Sequence, residues 1–215
     1  MHTHLPALAD SFSVFQVFVA KEKFKFNAAH FIAYKGYRER LHGHNYRASI
    51  RLEGTPNAGV GADGYVVDFG EIKGIMTTLC KELNERFLLP ERSDVLDIKE
   101  SVDGRSVHLG CEDGSSFAFP LSDVARLPIV HSSAEELARY LCDRVVRTFT
   151  IARLRKRNVR LVEVAVAEAP AQEARYCRVV AGMPAAPAPA AAAGGGGGGG
   201  GGNDDEPPAK RARNA

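Results

Sequence analysis

The chain has 215 residues, 45% of them apolar and 25% charged, which suits one soluble globular domain with an ordinary core. A formal net charge of +2 and no long basic stripe argue against a nucleic-acid partner. No apolar run approaches the roughly 20 residues that span a bilayer, so no membrane partner is expected either.

Residues 1–16 read as an N-terminal arm. It lacks the basic start and apolar stretch of a secretory signal, and its His2 and His4 read as surface. From Phe24 a period-2 alternation sets Phe24, Phe26, Ala28 and His30 on one face and Lys23, Lys25 and Asn27 on the other. A second strand sets Tyr46, Ala48, Ile50 and Leu52 inward, with Asn45, Arg47, Ser49 and Arg51 outward. One packed face and one wet face are the pattern of an antiparallel sheet.

A helix follows. Asp68 and Glu71 have capping-box spacing, and Phe69, Ile72, Ile75, Met76, Leu79, Leu83 and Phe87 recur at three- and four-residue steps, with Pro90 closing the segment. Residues 95–120 read as an inserted β-meander, its strands separated by the hairpin pairs Asp103-Gly104 and Asp113-Gly114. A second helix starts at Ser132/Ser133 and runs through Leu137, Leu141, Val145 and Phe149. Strands from Val159 to Glu168 and from Ala174 to Val180 finish the domain, which spans 17–182. With the meander set aside, the order β-β-α-α-β-β predicts an α+β fold, an antiparallel sheet with both helices on one face.

Residues 183–215 are a Pro/Ala-rich and then Gly-rich tail that cannot bury enough apolar surface to order itself. Its Lys210, Arg211 and Arg213 form a short basic cluster, either an import signal or low-complexity drift. Cys80, Cys111, Cys142 and Cys177 lack CxxC spacing and read as reduced core residues of a cytoplasmic protein.

The chemistry concentrates in the histidines. His42 and His44 flank Gly43 at the mouth of the second strand, and i, i+2 positions of a strand share a face. His30 ends the first strand on its inward face. If the two strands form a hairpin, three imidazoles meet, a donor set that suits zinc with a fourth position left open for chemistry. A chance HxH pair is the plainer alternative.

The segments FNAAH, HGHNYRASIRLEG, GYVVDFGEIK, HSSAEELARYL and VEVAVAEAP, in that order, resemble the 6-pyruvoyl-tetrahydropterin synthase family, which also includes the 6-carboxy-tetrahydropterin synthases. The resemblance implies a tunnelling-type fold, assembly as a homohexamer (a dimer of trimers), and zinc (Zn2+) on His30, His42 and His44. It also implies a pterin substrate anchored by Glu168, with Ser133 helping to hold it at the start of the second helix. Read without the family, Glu168 is a strand-end carboxylate and Ser133 a helix cap.

Two departures touch catalysis. The Cys that such synthases carry shortly before HGH is absent, and the family's Asp-His pair after the first helix reads Asn84-Glu85. Glu39, three residues before His42, is the candidate substitute base, with a solvated loop residue as the alternative. His131 is the candidate proton carrier, or else a surface histidine. Arg38 and Arg40 flank Glu39 and could meet a triphosphate. The implied reaction converts 7,8-dihydroneopterin triphosphate to 6-pyruvoyl-tetrahydropterin with loss of triphosphate. The alternatives are Glu-dependent cleavage to 6-hydroxymethyl-dihydropterin, as in family members of parasites and some bacteria, a 6-carboxy product, or pterin binding without turnover.

Overall fold

The computed structural model describes residues 14–58 and 61–180. The predicted tail, its basic cluster and His2 and His4 lie outside them. The two long strands form as their alternation predicts. β1 (Phe15–His30) pairs antiparallel with β4 (His42–Gly54), in a register that sets His30 opposite His42 and Ala28 opposite His44. Phe24, Phe26, Tyr46, Ile50 and Leu52 are at most 1% exposed, so the inward face is a dry core. β1 starts earlier than its clean alternation does. Phe15 and Gln16, assigned by sequence to the arm, pair with Gly54 and Glu53, and the register slips between Ala20 and Lys25. Extra residues at such a slip interrupt the period-2 pattern and hide the strand's first half from sequence.

Between β1 and β4 the chain makes a small hairpin, β2 (Ala33–Tyr34) with β3 (Tyr37–Arg38). β10 (Val159–Ala169) pairs with β4, and β11 (Gln172–Val179) pairs with β10 at the sheet edge. α1 (Phe69–Leu83) and α2 (Ala134–Phe149) bury their stripes on the same side of this sheet. Ile72, Met76, Leu79, Leu137, Leu141 and Val145 share one core with Phe24, Phe26, Ile50 and Leu52. Each side chain buried there contributes about 1.5–3 kcal/mol against an exposed reference. The caps are the residues the sequence nominates. Asp68 Oδ1 accepts from the Gly70 and Glu71 amides at 2.5 and 3.0 Å, and Ser133 Oγ accepts from the Glu136 amide at 3.4 Å.

Three further expectations about the elements need correction. First, Phe87 does not belong to the α1 stripe. The helix ends at Leu83, Glu85 takes a left-handed φ of 58°, and its amide donates to the Asn27 carbonyl at 2.6 Å. The turn is stapled to β1, and the chain leaves as β5 (Arg86–Pro90). Second, the sheet is mixed rather than antiparallel, because β5 runs parallel to β1 and β9 (Val124–Leu127) parallel to β5, giving the order β11-β10-β4-β1-β5-β9. Third, a short helix α3 (Ile151–Lys156) follows α2 after Thr150, whose φ of 65° breaks the first helix and whose hydroxyl caps the second.

The insertion is a three-stranded sheet, β6 (Leu96–Glu100), β7 (Ser106–Cys111) and β8 (Ser116–Pro120). Gly104 and Gly114 take positive φ at its hairpins, as Asp-Gly turns require. It owns a second apolar cluster in which Val107 and Leu109 join Phe31, Phe87 and Leu89, whereas Leu88 joins the main core. β5 is thus buried on both faces, which explains why Phe87-Leu88-Leu89 shows no strand alternation. Cys80 and Cys142 are buried, as expected of core cysteines, and burial pushes each thiol up to about 12. Cys177 is not a core residue, since it lies exposed on the edge strand β11. Among the described residues, no helix is long and apolar enough to cross a membrane.

Candidate active site

The β1–β4 register delivers the three histidines to one end of the sheet. His30, His42 and His44 each offer a ring nitrogen, and these atoms all lie within 4.8 Å of one another. Gly43 permits the approach, because a Cβ there would stand 3.1 Å from the Ala28 carbonyl oxygen. His30 is 1% exposed. Its Nδ1 lies 2.9 Å from the Ser132 carbonyl oxygen, and a carbonyl can only accept, so Nδ1 carries the proton. The other nitrogen, Nε2, is then a buried lone pair, and it has no hydrogen-bond partner. His42 follows the same logic, its Nδ1 donating to the Arg40 carbonyl at 2.7 Å. Desolvation, outweighing the Ser132 contact and aided by the other two imidazoles, brings His30 down to about 4. A neutral imidazole with an orphaned inward nitrogen and its outer N–H anchored to a carbonyl is what a metal ligand requires. The donor set therefore fits zinc.

Tyr46, the next inward residue of β4, is a member of the site that the strand pattern had assigned to the core. It is fully buried and stacked on Phe26 at 4.8 Å, with its ring 5.4 Å from His44 and 5.8 Å from His30. Its hydroxyl donates to Glu168 Oε1 at 3.5 Å. Burial first, and then the Glu168 and Glu39 charges, raise the phenol well above its usual range, so it stays a donor. The only sequence signal available was a polar tip on an otherwise apolar face.

Glu39 is half-buried, and its charge acts on both His30 and Tyr46. Its Oε2 accepts from the Ile32 amide at 3.0 Å while its own amide donates to the Ile32 carbonyl at 2.9 Å. The solvated-loop alternative is therefore a poor description of it. Glu168 is half-buried at the end of β10, its carboxylate reaching Tyr46. Ser133 caps α2, and its neighbour Ser132, which the sequence marks only as part of the helix start, holds His30. His131 stands apart from the three-histidine group, with its Nδ1 buried and without a hydrogen-bond partner. Arg38 is not free to meet a triphosphate. It is committed to Asp113 at 2.8 Å, whereas Arg40 is exposed.

Beside the cluster lies a cavity of about 480 Å³, lined by His44, Asn27, Asn45, Glu85, Arg86 and Phe119 among others. Asn84, where the family's Asp is expected, is used structurally, its Oδ1 accepting from the Asn27 amide at 2.9 Å.

Fold and site together define an α+β protein with a three-histidine centre overlooked by two carboxylates. The chain belongs to the 6-pyruvoyl tetrahydropterin synthase family, whose model matches residues 19–178. It is similar to the crystal structure of 6-pyruvoyl tetrahydropterin synthase from Plasmodium vivax, with 40% identity, a TM-score of 0.72, and coverage of 78% of this chain and 99% of that one. The Plasmodium falciparum enzyme of the same name is 38% identical, with the same TM-score and coverage. Two further P. vivax structures carry that protein with a catalytic glutamate changed to alanine and to cysteine. A protein of Methanocaldococcus jannaschii provisionally named 6-carboxy-5,6,7,8-tetrahydropterin synthase is 27% identical over 152 residues, 71% of this chain and 88% of its own length.

Proposed function

We propose that the chain is a zinc-dependent lyase acting on 7,8-dihydroneopterin triphosphate, with Glu39 moving the proton and Glu168 anchoring the pterin. The carrying observation is the Glu39 carboxylate, half-buried three residues before His42 and fixed by the Ile32 amide. The similar P. vivax protein also has a catalytic residue that is a glutamate, which supports assigning the same duty here.

His30, His42 and His44 would hold the metal, which when bound supplies a Lewis acid that acidifies side-chain hydroxyls. Glu168 suits the amino-pyrimidinone edge of a pterin, since a carboxylate accepts two parallel N–H bonds. The Tyr46 hydroxyl donates to Glu168, which helps keep that group aimed. Glu39 accepts the proton that the substrate's side chain gives up. Its backbone contacts to Ile32 on both sides limit the reorganisation needed at that moment.

The first reading of the product is 6-pyruvoyl-tetrahydropterin, formed with loss of triphosphate, the reaction in the family's name. The base favours a second reading, cleavage of the side chain to 6-hydroxymethyl-dihydropterin. A carboxylate is a far weaker base than a thiolate, and it suits an acidified hydroxyl better than a carbon-bound proton. A 6-carboxy product is supported by the name of the archaeal relative. Incubating zinc-loaded protein with 7,8-dihydroneopterin triphosphate and identifying the released pterin by mass separates the three. Pterin binding with no product at all would refute the proposal.

A further inference from the structure

The segment from Phe31 to Leu41 carries Glu39 and leads into His42, and its outer flank rests on the inserted sheet. Arg38 is the joint. Its Nε and Nη2 donate to Asp113 Oδ2 at 2.9 and 2.8 Å, and its Nη1 donates to the Glu39 carbonyl oxygen at 2.7 Å. The guanidinium also sits over the rings of Phe31 and Phe117, 5.7 and 5.4 Å from their centroids, and those rings stack on each other at 5.1 Å. One residue pair further out, the Gly36 amide donates to Glu112 Oε2 at 2.9 Å. Glu112 and Asp113 occupy the β7–β8 turn and Phe117 lies on β8, so each of these anchors on the insertion side belongs to β6–β8. The Arg38 side chain is 17% exposed, far less than its 45%-exposed partner Asp113. An arginine held by charge, by two aromatic faces and by the peptide of its neighbour has little freedom left, and it passes that restraint to Glu39.

We propose that Arg38 is a positioning residue for Glu39, and that the Asp113/Phe117 side of the inserted sheet is thereby part of the catalytic apparatus. The inference rests on the reading of Glu39 as the base. The Asp113 charge offsets that of Arg38, so the effect on Glu39 is geometric rather than electrostatic. A misplacement on the order of 1 Å at a reacting group can cost about 100-fold in rate, so small displacements of this segment are expected to matter.

The test is a double-mutant cycle on the zinc-loaded full chain. Arg38→Met should lower kcat by about 10- to 100-fold, with stoichiometric zinc retained and KM for the pterin little changed. In a Glu39→Gln background the same substitution should have no further effect, because the group it positions is already inert. Asp113→Asn, at a more exposed site, should show the same dependence on Glu39 more weakly, and serves if Arg38→Met does not fold. Equal losses in both backgrounds, or no loss in the parent, would overturn the proposal. Failure of the underlying reading has a different mark: Glu39→Gln alone would then leave turnover intact.

Discussion

The Nδ1 of His30 lies 2.9 Å from the carbonyl oxygen of Ser132, joining the end of β1 to the residue before the α2 cap. This contact selects the tautomer that leaves Nε2 as a lone pair, so the start of the second helix helps shape the three-histidine group on the first hairpin. His42→Ala or His44→Ala should each abolish stoichiometric zinc, read by metal analysis of the purified protein, since two imidazoles alone anchor the ion poorly. Ser132→Ala should retain it, because the accepting oxygen belongs to the backbone.

Glu39→Gln should keep zinc and pterin binding, being nearly isosteric and neither ligand nor anchor, while turnover falls by a factor on the order of 10²–10⁴. Glu39→Cys should recover part of the rate or shift the product, because it installs the thiol the chain lacks before HGH. Steady-state turnover with product identification reads both. Full activity in Glu39→Gln would move the search to His131 and to Glu85, which shares a cavity with His44.

Glu168→Gln should weaken pterin affinity by roughly 1.5–3 kcal/mol, the worth of a charge-assisted hydrogen bond. Tyr46→Phe should weaken it less, since it removes only the donor behind Glu168. Calorimetric titration with a non-reacting pterin distinguishes the two, and equal losses would place Tyr46 in direct contact with the ligand.

Acid should destabilise the metal-free protein in two windows. His30 sits at about 4 in the folded chain against 6.5 when free, chiefly through desolvation, so the unfolded chain binds the proton first. Its contribution is complete above about 6.5 and is lost as pH falls toward 4, with a total on the order of a few kcal/mol. Glu163, buried and hydrogen-bonded to Arg51 at 2.6 and 3.2 Å, is held below its ordinary value mainly by that arginine. Its share is present above the carboxylate range and disappears on further acidification. Urea midpoints measured from about pH 7.5 down to about pH 3 should decline through both windows, and His30→Phe should flatten the upper one.

We expect an oligomer, with a hexamer first and a trimer second. The sheet ends in β9 and β11, whose outer backbone groups invite pairing, and Phe15 and Phe18 are 59% and 58% exposed on β1. Light scattering at micromolar concentration reads the state, and a monomer would contradict the expectation.

Local chemistry determined much of this in the sequence alone. Period-2 alternation around Phe24–His30 and Tyr46–Leu52 set the inward faces, and that parity put all three histidines on one side, because strand side chains alternate strictly. Asp68, Ser133 and the two Asp-Gly turns act on neighbouring amides, so their roles were also legible. Tertiary structure decided the rest. Phe87 fits a helical stripe by spacing, but the Asn27–Glu85 backbone contact pulls it into β5 between two cores. Arg38 reads as a free charge until Asp113, 75 residues on, is folded against it. Ser132 and Tyr46 look like plain cap and core residues until the packing of α2 and β10 brings them to His30 and Glu168. Each of these roles depends on a partner far along the chain, and a pattern of near neighbours carries no record of which distant groups the fold will bring together.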